Sequence, residues 1–272
     1  MSKLPIAIQL YSVREEAEKD LKGTLQQIKS MGYDGVELAG LYGYSPEVFR
    51  ESLKEAGLLP ISAHVPYNEL VDDMEGTVDK YIAIGCDYIA IPYLSEEYRP
   101  GSAKFGEVLT NVAKLGKICK AKGITLLYHN HDFEFVKVED GRYALDYLYE
   151  SVSADLLQTE IDTCWVKVAG VPPVAYIEKY SNRCPIVHLK DFVGEKSENM
   201  YKLIGIENGE QKECSKFEFR AVGSGIQDFP SILDTAVKAG AKWLVVEQDS
   251  HYDHTAMEDT RLSLEYLRAL GW

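Results

Sequence analysis

The amino-acid sequence predicts a single-domain α/β fold, a (β/α)8 TIM barrel over residues 1–272, with a long insertion after the seventh strand. Three observations lead to this fold class. A unit of amphipathic helix, glycine and apolar strand recurs along the chain. The length of 272 residues suits eight such units, and no linker or low-complexity tract divides the chain.

The repeated unit is visible in the segments IKSMGYDGVEL, LKEAGLLPISAH, YIAIGCDYIAIPY, CKAKGITLLYHN and VKAGAKWLVVE. Each segment has a glycine just after its helix, where a left-handed backbone costs glycine little. Junctions of this kind predict alternating helices and strands rather than a β-sandwich or a helical bundle. The glycines are Gly32, Gly57, Gly85, Gly123 and Gly240.

Eight β-rich runs are mostly apolar on both faces, as parallel strands covered by helices are. The predicted strands are Ile6–Tyr11, Gly35–Leu38, Leu59–His64, Tyr88–Pro92, Ile124–His129, Leu156–Asp162, Pro185–Leu189 and Trp243–Glu247. The second of the helices between them begins with Ser45-Pro46, a helix cap followed by proline at the first helical position. The predicted helices are Leu21–Met31, Pro46–Ala56, Met74–Ile84, Gly106–Lys122, Tyr143–Val152, Pro173–Tyr180, Phe229–Ala239 and Asp259–Leu270.

A doubly wound open sheet is the competing architecture. Such a sheet ordinarily carries a glycine-rich phosphate-binding loop after its first strand. The corresponding residues here, Ser12-Val13-Arg14-Glu15, contain no glycine. The sequence therefore favours the barrel, in which all strand carboxyl ends open onto one face.

A long polar stretch from Gly194 to Gly225 interrupts the alternation between the seventh strand and the next helix. Within it, Glu207-Asn208-Gly209 separates two short alternating runs, which predicts a β-hairpin with Asn-Gly in its turn. A loop of this length on the active face usually forms a lid or a wall of the site. A contact between copies of the chain in a homo-oligomer is the alternative use.

The composition argues against several classes of function. A net charge of −14 does not suit nucleic acid or an anionic membrane as the main partner. The first residues, MSKLPIAIQLYS, lack the features of a secretory signal peptide, and no apolar run approaches the roughly 20 residues that span a bilayer. The five cysteines are widely spaced without a CxxC pair, so we expect reduced thiols and a cytoplasmic location.

Polar side chains collect where the predicted strands end. All six histidines lie at or just beyond the carboxyl end of an apolar run, and Glu134, Asp162, His188 and Glu247 follow four consecutive strands. Because these ends converge in a barrel, three carboxylates and one imidazole would meet there. They would bind one divalent metal ion, with Mn²⁺, Mg²⁺, Zn²⁺ or Co²⁺ as candidates. Each acid taken singly has another interpretation as a loop-end charge or a helix cap, as at Asp162-Thr163.

Further candidates lie on the same face. His129 and His131 point to one side of an extended chain, so one could be a ligand and the other an acid–base group. Either could instead be a structural histidine. Lys190 shares a face with His188 and could hold a substrate oxygen, with a surface lysine as the alternative. The other candidate substrate contacts are His64, His129, Gln9 with Tyr11 and, near the end of the insertion, Arg220. His251 and His254 lie farther past the eighth strand, where we expect loop residues.

Taken together, these segments resemble the xylose-isomerase-like TIM-barrel superfamily of sugar-phosphate isomerases and epimerases over essentially the whole chain. The segments that carry the resemblance are IQLYSVR, GYDGVEL, SAH, YHNHDFEF, EID, HLKD, GSGIQDFPSIL and VVEQD. The HNHDFEF form is similar to the branch that contains inosose dehydratase and related 3-keto-sugar enzymes.

The resemblance implies one divalent metal, often manganese, held by a Glu, Asp, His, Glu set at the ends of strands five to eight. Its last three members fall on Asp162, His188 and Glu247. The first departs from the pattern, because ketose epimerases carry a glutamate where this chain has His129. The nearest acid is Glu134, which is the expected ligand, with His129 as the alternative. The departure bears on mechanism, since two metal-bound glutamates exchange the substrate proton in those epimerases.

The resemblance also implies metal-assisted removal of the proton next to a carbonyl of a sugar or keto-sugar. Glu247, with His131 or Glu134, would transfer protons, and Lys190 and His64 would orient oxygens. Isomerisation or epimerisation is the expected outcome. The alternative is β-elimination, as in inosose dehydratase or a 3-keto-glycoside lyase. A barrel that binds sugar without turnover and an abasic-site endonuclease are more remote hypotheses, and the acidic charge speaks against the latter.

Overall fold

The computed structural model describes residues 3–196 and 217–272. Its strands are β1 (Ile6–Gln9), β2 (Gly35–Ala39), β3 (Leu59–His64), β4 (Tyr88–Ile91), β5 (Thr125–His129), β6 (Gln158–Asp162), β7 (Ile186–Leu189), β8 (Asp191–Val193), β9 (Glu218–Arg220) and β10 (Trp243–Val246). β1 to β7 and β10 form a closed parallel barrel in the order β1-β10-β7-β6-β5-β4-β3-β2, in which β1 also pairs with β2. The predicted barrel is confirmed.

The helices connect these strands along the outside of the barrel. They are α1 (Arg14–Lys19), α2 (Leu21–Met31), α3 (Pro46–Ala56), α4 (Tyr67–Asp72), α5 (Met74–Ile84), α6 (Phe105–Lys122), α7 (Ala144–Ser151), α8 (Thr163–Val168), α9 (Pro173–Lys179), α10 (Phe229–Lys238) and α11 (Ala256–Ala269). The first strand ends two residues earlier than predicted because a 3-10 helix begins at Leu10. The side chain of Gln9 stabilises this turn by accepting a hydrogen bond from the backbone N–H of Tyr11 at 3.1 Å.

The helix ends follow the predicted local chemistry. Gly57 and Gly123, after α3 and α6, have φ angles of 75° and 79°, in the left-handed region that suits glycine. At the start of α3, the Ser45 hydroxyl accepts a hydrogen bond from the backbone N–H of Val48 at 3.3 Å. These signals are local in sequence, which is why they set the helix boundaries well.

Inside the barrel, a layer of apolar side chains is followed, two residues farther along the strands, by a layer of mostly polar ones. Its apolar layer contains Ala7, Ile61, Ala90, Leu127, Ile186 and Val245. Because side chains alternate along a strand, the residue two positions farther on also points inward. From four of these positions that residue is Gln9, His129, His188 or Glu247, and all four are buried. The polar layer therefore rests directly on a packed floor.

The ends of the insertion form a small platform beside the barrel. β8 pairs antiparallel with β9, with Asp191 opposite Arg220. The buried Asp191 carboxylate accepts hydrogen bonds from the backbone N–H groups of Gly223, Gly225 and Gln227. A cluster of Cys164, Trp165, Phe192, Phe217 and Phe219 packs underneath. The predicted hairpin turn at 207–209 lies outside the described residues.

Among residues 3–196 and 217–272, no helix combines the length and apolar character that crossing a bilayer requires. Cys86, Cys119, Cys164 and Cys184 are buried free thiols. Cys214 lies outside the described residues, and the reduced state of the thiols stays an expectation.

Candidate active site

A cavity of about 290 Å³ opens at the carboxyl ends of the barrel strands. The predicted residues His64, His129, His131, Lys190 and Glu247 line it. Tyr11, which was named with Gln9, lines it too, and the remaining lining residues are Ala39, Gly40, Pro66, Glu69, Pro92, Tyr93 and Asp249. In a barrel this is the face on which active sites are built.

Four buried side chains at the base of this cavity form what we call the upper group: His129, Asp162, His188 and Glu247. Each offers one donor atom, and the four atoms lie within 4.8 Å of one another. His188 Nδ1 is 2.9 Å from Glu247 Oε2, and His129 Nε2 is 3.8 Å from Asp162 Oδ2. Strand pairing explains the closeness, because Asp162 and His188 are register partners on neighbouring strands. The group is able to hold a metal ion.

Asp162 has two functions in this structure. Its Oδ1 caps α8 by accepting hydrogen bonds from the N–H groups of Cys164 at 2.8 Å and Trp165 at 3.0 Å. Its Oδ2 is buried, lies 3.2 Å from Lys190 Nζ and belongs to the upper group. The helix-cap interpretation and the ligand interpretation of this residue are therefore compatible.

Lys190 brings a buried positive charge to the same place. Its Nζ lies 3.2 Å from Asp162 Oδ2, 2.9 Å from Glu247 Oε2 and 3.0 Å from Asp249 Oδ2. Burial alone would lower the pKa of Lys190, but the three carboxylates raise it well above its usual value, so the ammonium stays charged. Although burial raises the pKa of Glu247, Lys190 and His188 hold it well below its ordinary value. Glu247 is therefore a carboxylate at neutral pH.

A second set of donors, the deep group, lies one step further into the barrel. It consists of His64, His129, Glu160 and His188, again with donor atoms within 4.8 Å of one another. Glu37 of β2 lies against it, with Oε2 2.8 Å from His188 Nε2. The two groups share His129 and His188, whose ring nitrogens face opposite ways.

Glu134, the expected strand-five ligand, is placed elsewhere. It belongs to neither group and does not line the cavity. Its Oε1 accepts a hydrogen bond from the Tyr128 hydroxyl at 2.7 Å, and its Oε2 accepts one from the His131 N–H at 2.9 Å. The turn after β5 directs this side chain into the protein, and burial raises its pKa to about 8. The strand-five residue in both groups is His129, the alternative named from the sequence.

Of the remaining candidates, one lines the cavity and two do not. His131 lines the cavity and packs against Trp165 with 5.0 Å between ring centroids; burial holds its pKa well below the usual value, so its imidazole is neutral. Gln9 lies under the cavity and donates from Nε2 to Glu37 Oε2 at 3.0 Å. Arg220 lines a neighbouring cavity, where its guanidinium packs on Tyr252.

His251 and His254 lie apart from the site, as expected. Their Nδ1 atoms are 2.7 and 3.0 Å from the two carboxylate oxygens of Asp259 at the start of α11.

The sequence interpretation missed three acids of the site: Glu37, Glu160 and Asp249. Two of them stand two positions from a predicted residue on the same strand or its extension, Glu160 before Asp162 and Asp249 after Glu247. Strand alternation therefore offered a signal for both. Glu37 is an acid inside the apolar run GVEL, which is a weaker signal of the same kind.

Comparison with known proteins agrees with this architecture. The family model for xylose isomerase-like TIM barrels matches residues 25–270. An inosose dehydratase from Clostridium beijerinckii is 24% identical over 260 residues, covering 85% of this chain and 83% of the relative. Among solved structures, a sugar phosphate isomerase/epimerase from Parabacteroides distasonis has a TM-score of 0.78 at 23% identity, covering 99% of this chain and 95% of the other.

An L-ribulose 3-epimerase structure has a TM-score of 0.70 at 16% identity, covering 98% of this chain and 94% of the other. At these identities the solved structures show a shared fold. The match to the family model spans nearly the whole chain, from the second helix to the last. The chain belongs to the family of xylose isomerase-like TIM barrels.

Proposed function

We propose that this protein is a divalent-metal-dependent enzyme that removes the proton next to a carbonyl of a sugar or keto-sugar, with isomerisation or epimerisation as the outcome. The observation that carries the proposal is the upper group at the base of the cavity, beside a buried lysine. It unites metal ligands, a carboxylate base and a fixed positive charge within reach of one small molecule. The cavity lies near the lower end of the roughly 300–1,000 Å³ usual for ligand sites, which suits a single sugar unit.

The residues of the upper group fit a metal ion. Two carboxylate oxygens and two imidazole nitrogens form a borderline donor set that suits Mn²⁺, Zn²⁺ or Co²⁺ better than Mg²⁺. Burial holds the pKa of His129 well below its usual value, so its imidazole is neutral and has a lone pair to donate. When bound, the ion would supply Lewis-acid stabilisation of negative charge on the substrate oxygen. We keep Mn²⁺ as the favoured ion on the strength of the family resemblance.

We assign proton transfer to Glu247 and His131. Both line the cavity, Glu247 as a carboxylate and His131 as a neutral imidazole, and both can accept a proton at neutral pH. We assign Glu134 a supporting role, because both its oxygens already accept hydrogen bonds and one of them holds the His131 backbone. For the same reason His129, rather than Glu134, is the proposed strand-five ligand.

Lys190 and His64 are the proposed contacts for substrate oxygens. Lys190 is only 1% exposed, and Asp249 Oδ2 holds its ammonium at 3.0 Å. A fixed ammonium can donate to a hydroxyl or carbonyl oxygen without reorganising. Gln9 acts through Glu37 rather than on the substrate, and Arg220 is too far around the rim to belong to this cavity.

Solvent hydrogen exchange tests the proposal. The Mn²⁺-loaded protein would be incubated in D₂O with ketoses, inososes and 3-keto-glycosides, and deuterium would be measured at the carbon next to the carbonyl. We expect incorporation with at least one class, and a loss of about 100-fold or more in Glu247→Gln. Glu265→Gln, which changes an exposed carboxylate on α11, is the control and should exchange like wild type. No exchange on any substrate would refute the proposal.

β-Elimination of water is the second candidate, and one observation favours it. Curated relatives from several Clostridium and Bacillus species carry the name inosose dehydratase. Elimination begins with the same proton removal. If His131 accepts that proton, it can then pass the same proton to a hydroxyl on the next carbon, which leaves as water. Mass spectrometry separates the two outcomes, because isomerisation preserves the substrate mass and dehydration lowers it by one water.

A further inference from the structure

Two fully buried carboxylates in the barrel have no lysine or arginine partner among residues 3–196 and 217–272. Glu37 and Glu160 are each 0% exposed. Within the described part of the chain, every ion pair that these carboxylates make is to a histidine. Burying a charge is costly unless another charge or a metal ion compensates it. The upper carboxylates have Lys190 for this purpose, whereas the deep ones are paired, as far as the structure describes the chain, only with histidines.

The donor atoms around this pair are spaced like ligands. Nε2 of His64 is 2.7 Å from Glu160 Oε2 and 3.2 Å from Glu37 Oε2. Nε2 of His188 is 2.8 Å from Glu37 Oε2 and 3.7 Å from Glu160 Oε2. Each of the two nitrogens thus lies within 3.7 Å of both carboxylate oxygens. Ligands of a tetrahedral ion with bonds of about 2.0–2.2 Å stand about 3.3–3.6 Å apart, so a small relaxation would complete the coordination.

Hydrogen bonding leaves part of this set unsatisfied. Oε1 of Glu37 and Oε1 of Glu160 are buried and accept no hydrogen bond from the described residues. Another buried carboxylate shows the usual solution: Asp146 accepts hydrogen bonds from two tyrosine hydroxyls at 2.9 and 2.7 Å and pairs with Lys179 at 2.7 Å. Buried polar atoms in proteins are almost always satisfied, so the deep set lacks a partner that a cation would supply.

We propose that Glu37, His64, Glu160 and Nε2 of His188 form a second divalent-cation site, distinct from the upper group. Two imidazole nitrogens and two carboxylate oxygens suit Zn²⁺ or Mn²⁺. Among the four donor residues only His64 lines the cavity, so the ion in this site neutralises buried charge and positions His188 rather than contacting substrate. The site stands on its own geometry and does not depend on the proposed reaction.

His188 connects the two sites through its ring. Its Nδ1 faces Glu247 at 2.9 Å in the upper group, and its Nε2 faces the deep set. The two sites therefore share one imidazole ring, and its position is common to both.

Metal stoichiometry tests the second site. The full-length protein would be stripped with chelator, loaded with Zn²⁺ or Mn²⁺, desalted and analysed for metal per chain. We expect two ions in wild type, and one in Glu160→Gln and in Glu37→Gln. Asp162→Asn should lose the upper ion and keep the deep one. Asp146→Asn, the matched change of a buried carboxylate outside both sites, should keep both ions. Circular dichroism would verify that each variant is folded.

An anomalous-scattering map of metal-soaked wild-type crystals covers the case in which a variant fails to fold. A peak between Glu37, His64 and Glu160 supports the proposal. Absence of that peak, or unchanged metal content in both glutamine variants, overturns it. A single ion that Glu160→Gln binds more weakly and Asp162→Asn loses also overturns it, because these carboxylates would then only orient upper ligands. A single ion that Glu160→Gln loses and Asp162→Asn retains supports the deep site and contradicts the upper-group site of the proposed function.

Discussion

Replacement of Lys190 by methionine should destabilise the metal-free protein strongly. The ammonium is 1% exposed and lies within 3.2 Å of the carboxylates of Asp162, Glu247 and Asp249. Without it, three buried acids face one another with no permanent cation between them. Removing one partner of a buried ion pair typically costs about 3–5 kcal/mol. For a chain of this size, that corresponds to a fall in Tm of roughly 10 °C.

The assay is urea and thermal unfolding in chelator and again in saturating Mn²⁺. We expect the deficit to shrink by more than half in Mn²⁺, because an ion in the upper group supplies positive charge to Asp162 and Glu247. Lys179→Met is the matched control, since Lys179 is half-exposed and its partner Asp146 keeps two tyrosine hydroxyls. That change should cost about 1 kcal/mol or less. A Lys190→Met protein as stable as wild type in chelator would refute this account of the site's electrostatics.

Three further predictions concern pH, packing and metal. Burial raises the pKa of Glu134 from an ordinary 4.5 to about 8, so its contribution to stability is full below pH 4.5 and is lost as pH rises through 8. Glu134→Gln should therefore flatten the fall in unfolding free energy between these pH values. An unchanged slope would contradict this. In Gly225→Ala the new methyl group collides with the Asp191 carboxylate, which should lower the free energy of unfolding by about 1–3 kcal/mol in chemical denaturation. In the control Gly106→Ala the methyl group meets no described atom within 4 Å, so this change should be neutral or stabilising. Mn²⁺ at 100 times the Kd of the upper group should stabilise wild type by about 2.7 kcal/mol through that group, and Asp162→Asn should lose this contribution in a thermal shift measurement.

The fold could be predicted from sequence because its signals are local. A glycine such as Gly57 ends a helix through its own backbone conformation, and Ser45-Pro46 starts one through a single hydrogen bond and a preset φ angle. Repetition of these short signals was enough to imply the barrel. The interior of the insertion carries no such repetition, and its predicted hairpin turn stays a prediction.

The sequence could predict only those residues of the candidate site whose position follows from a strand end. Placement at the ends of neighbouring strands brings His188 and Asp162 together, as the register of β6 and β7 shows. The role of Glu134 depends on the turn after β5, which no periodicity describes. Glu37 and Glu160 were missed for a different reason. The side chain of an acid within an apolar strand faces either the surrounding helices or the barrel interior, and only the closed sheet shows which.

The two oxygens of Asp162 have different partners, so binding of an ion in the upper group should be detectable away from the ion itself. One oxygen holds the first turn of α8, including the Trp165 N–H at 3.0 Å, while the other belongs to the upper group. The Trp165 ring in turn packs on His131 and, with 5.9 Å between centroids, on Phe219 of the insertion platform. A displacement of this carboxylate would therefore move the first turn of α8 and, through Trp165, the His131 side of the cavity. Trp165 is a built-in optical probe, and its fluorescence should follow loading of the site without any added label.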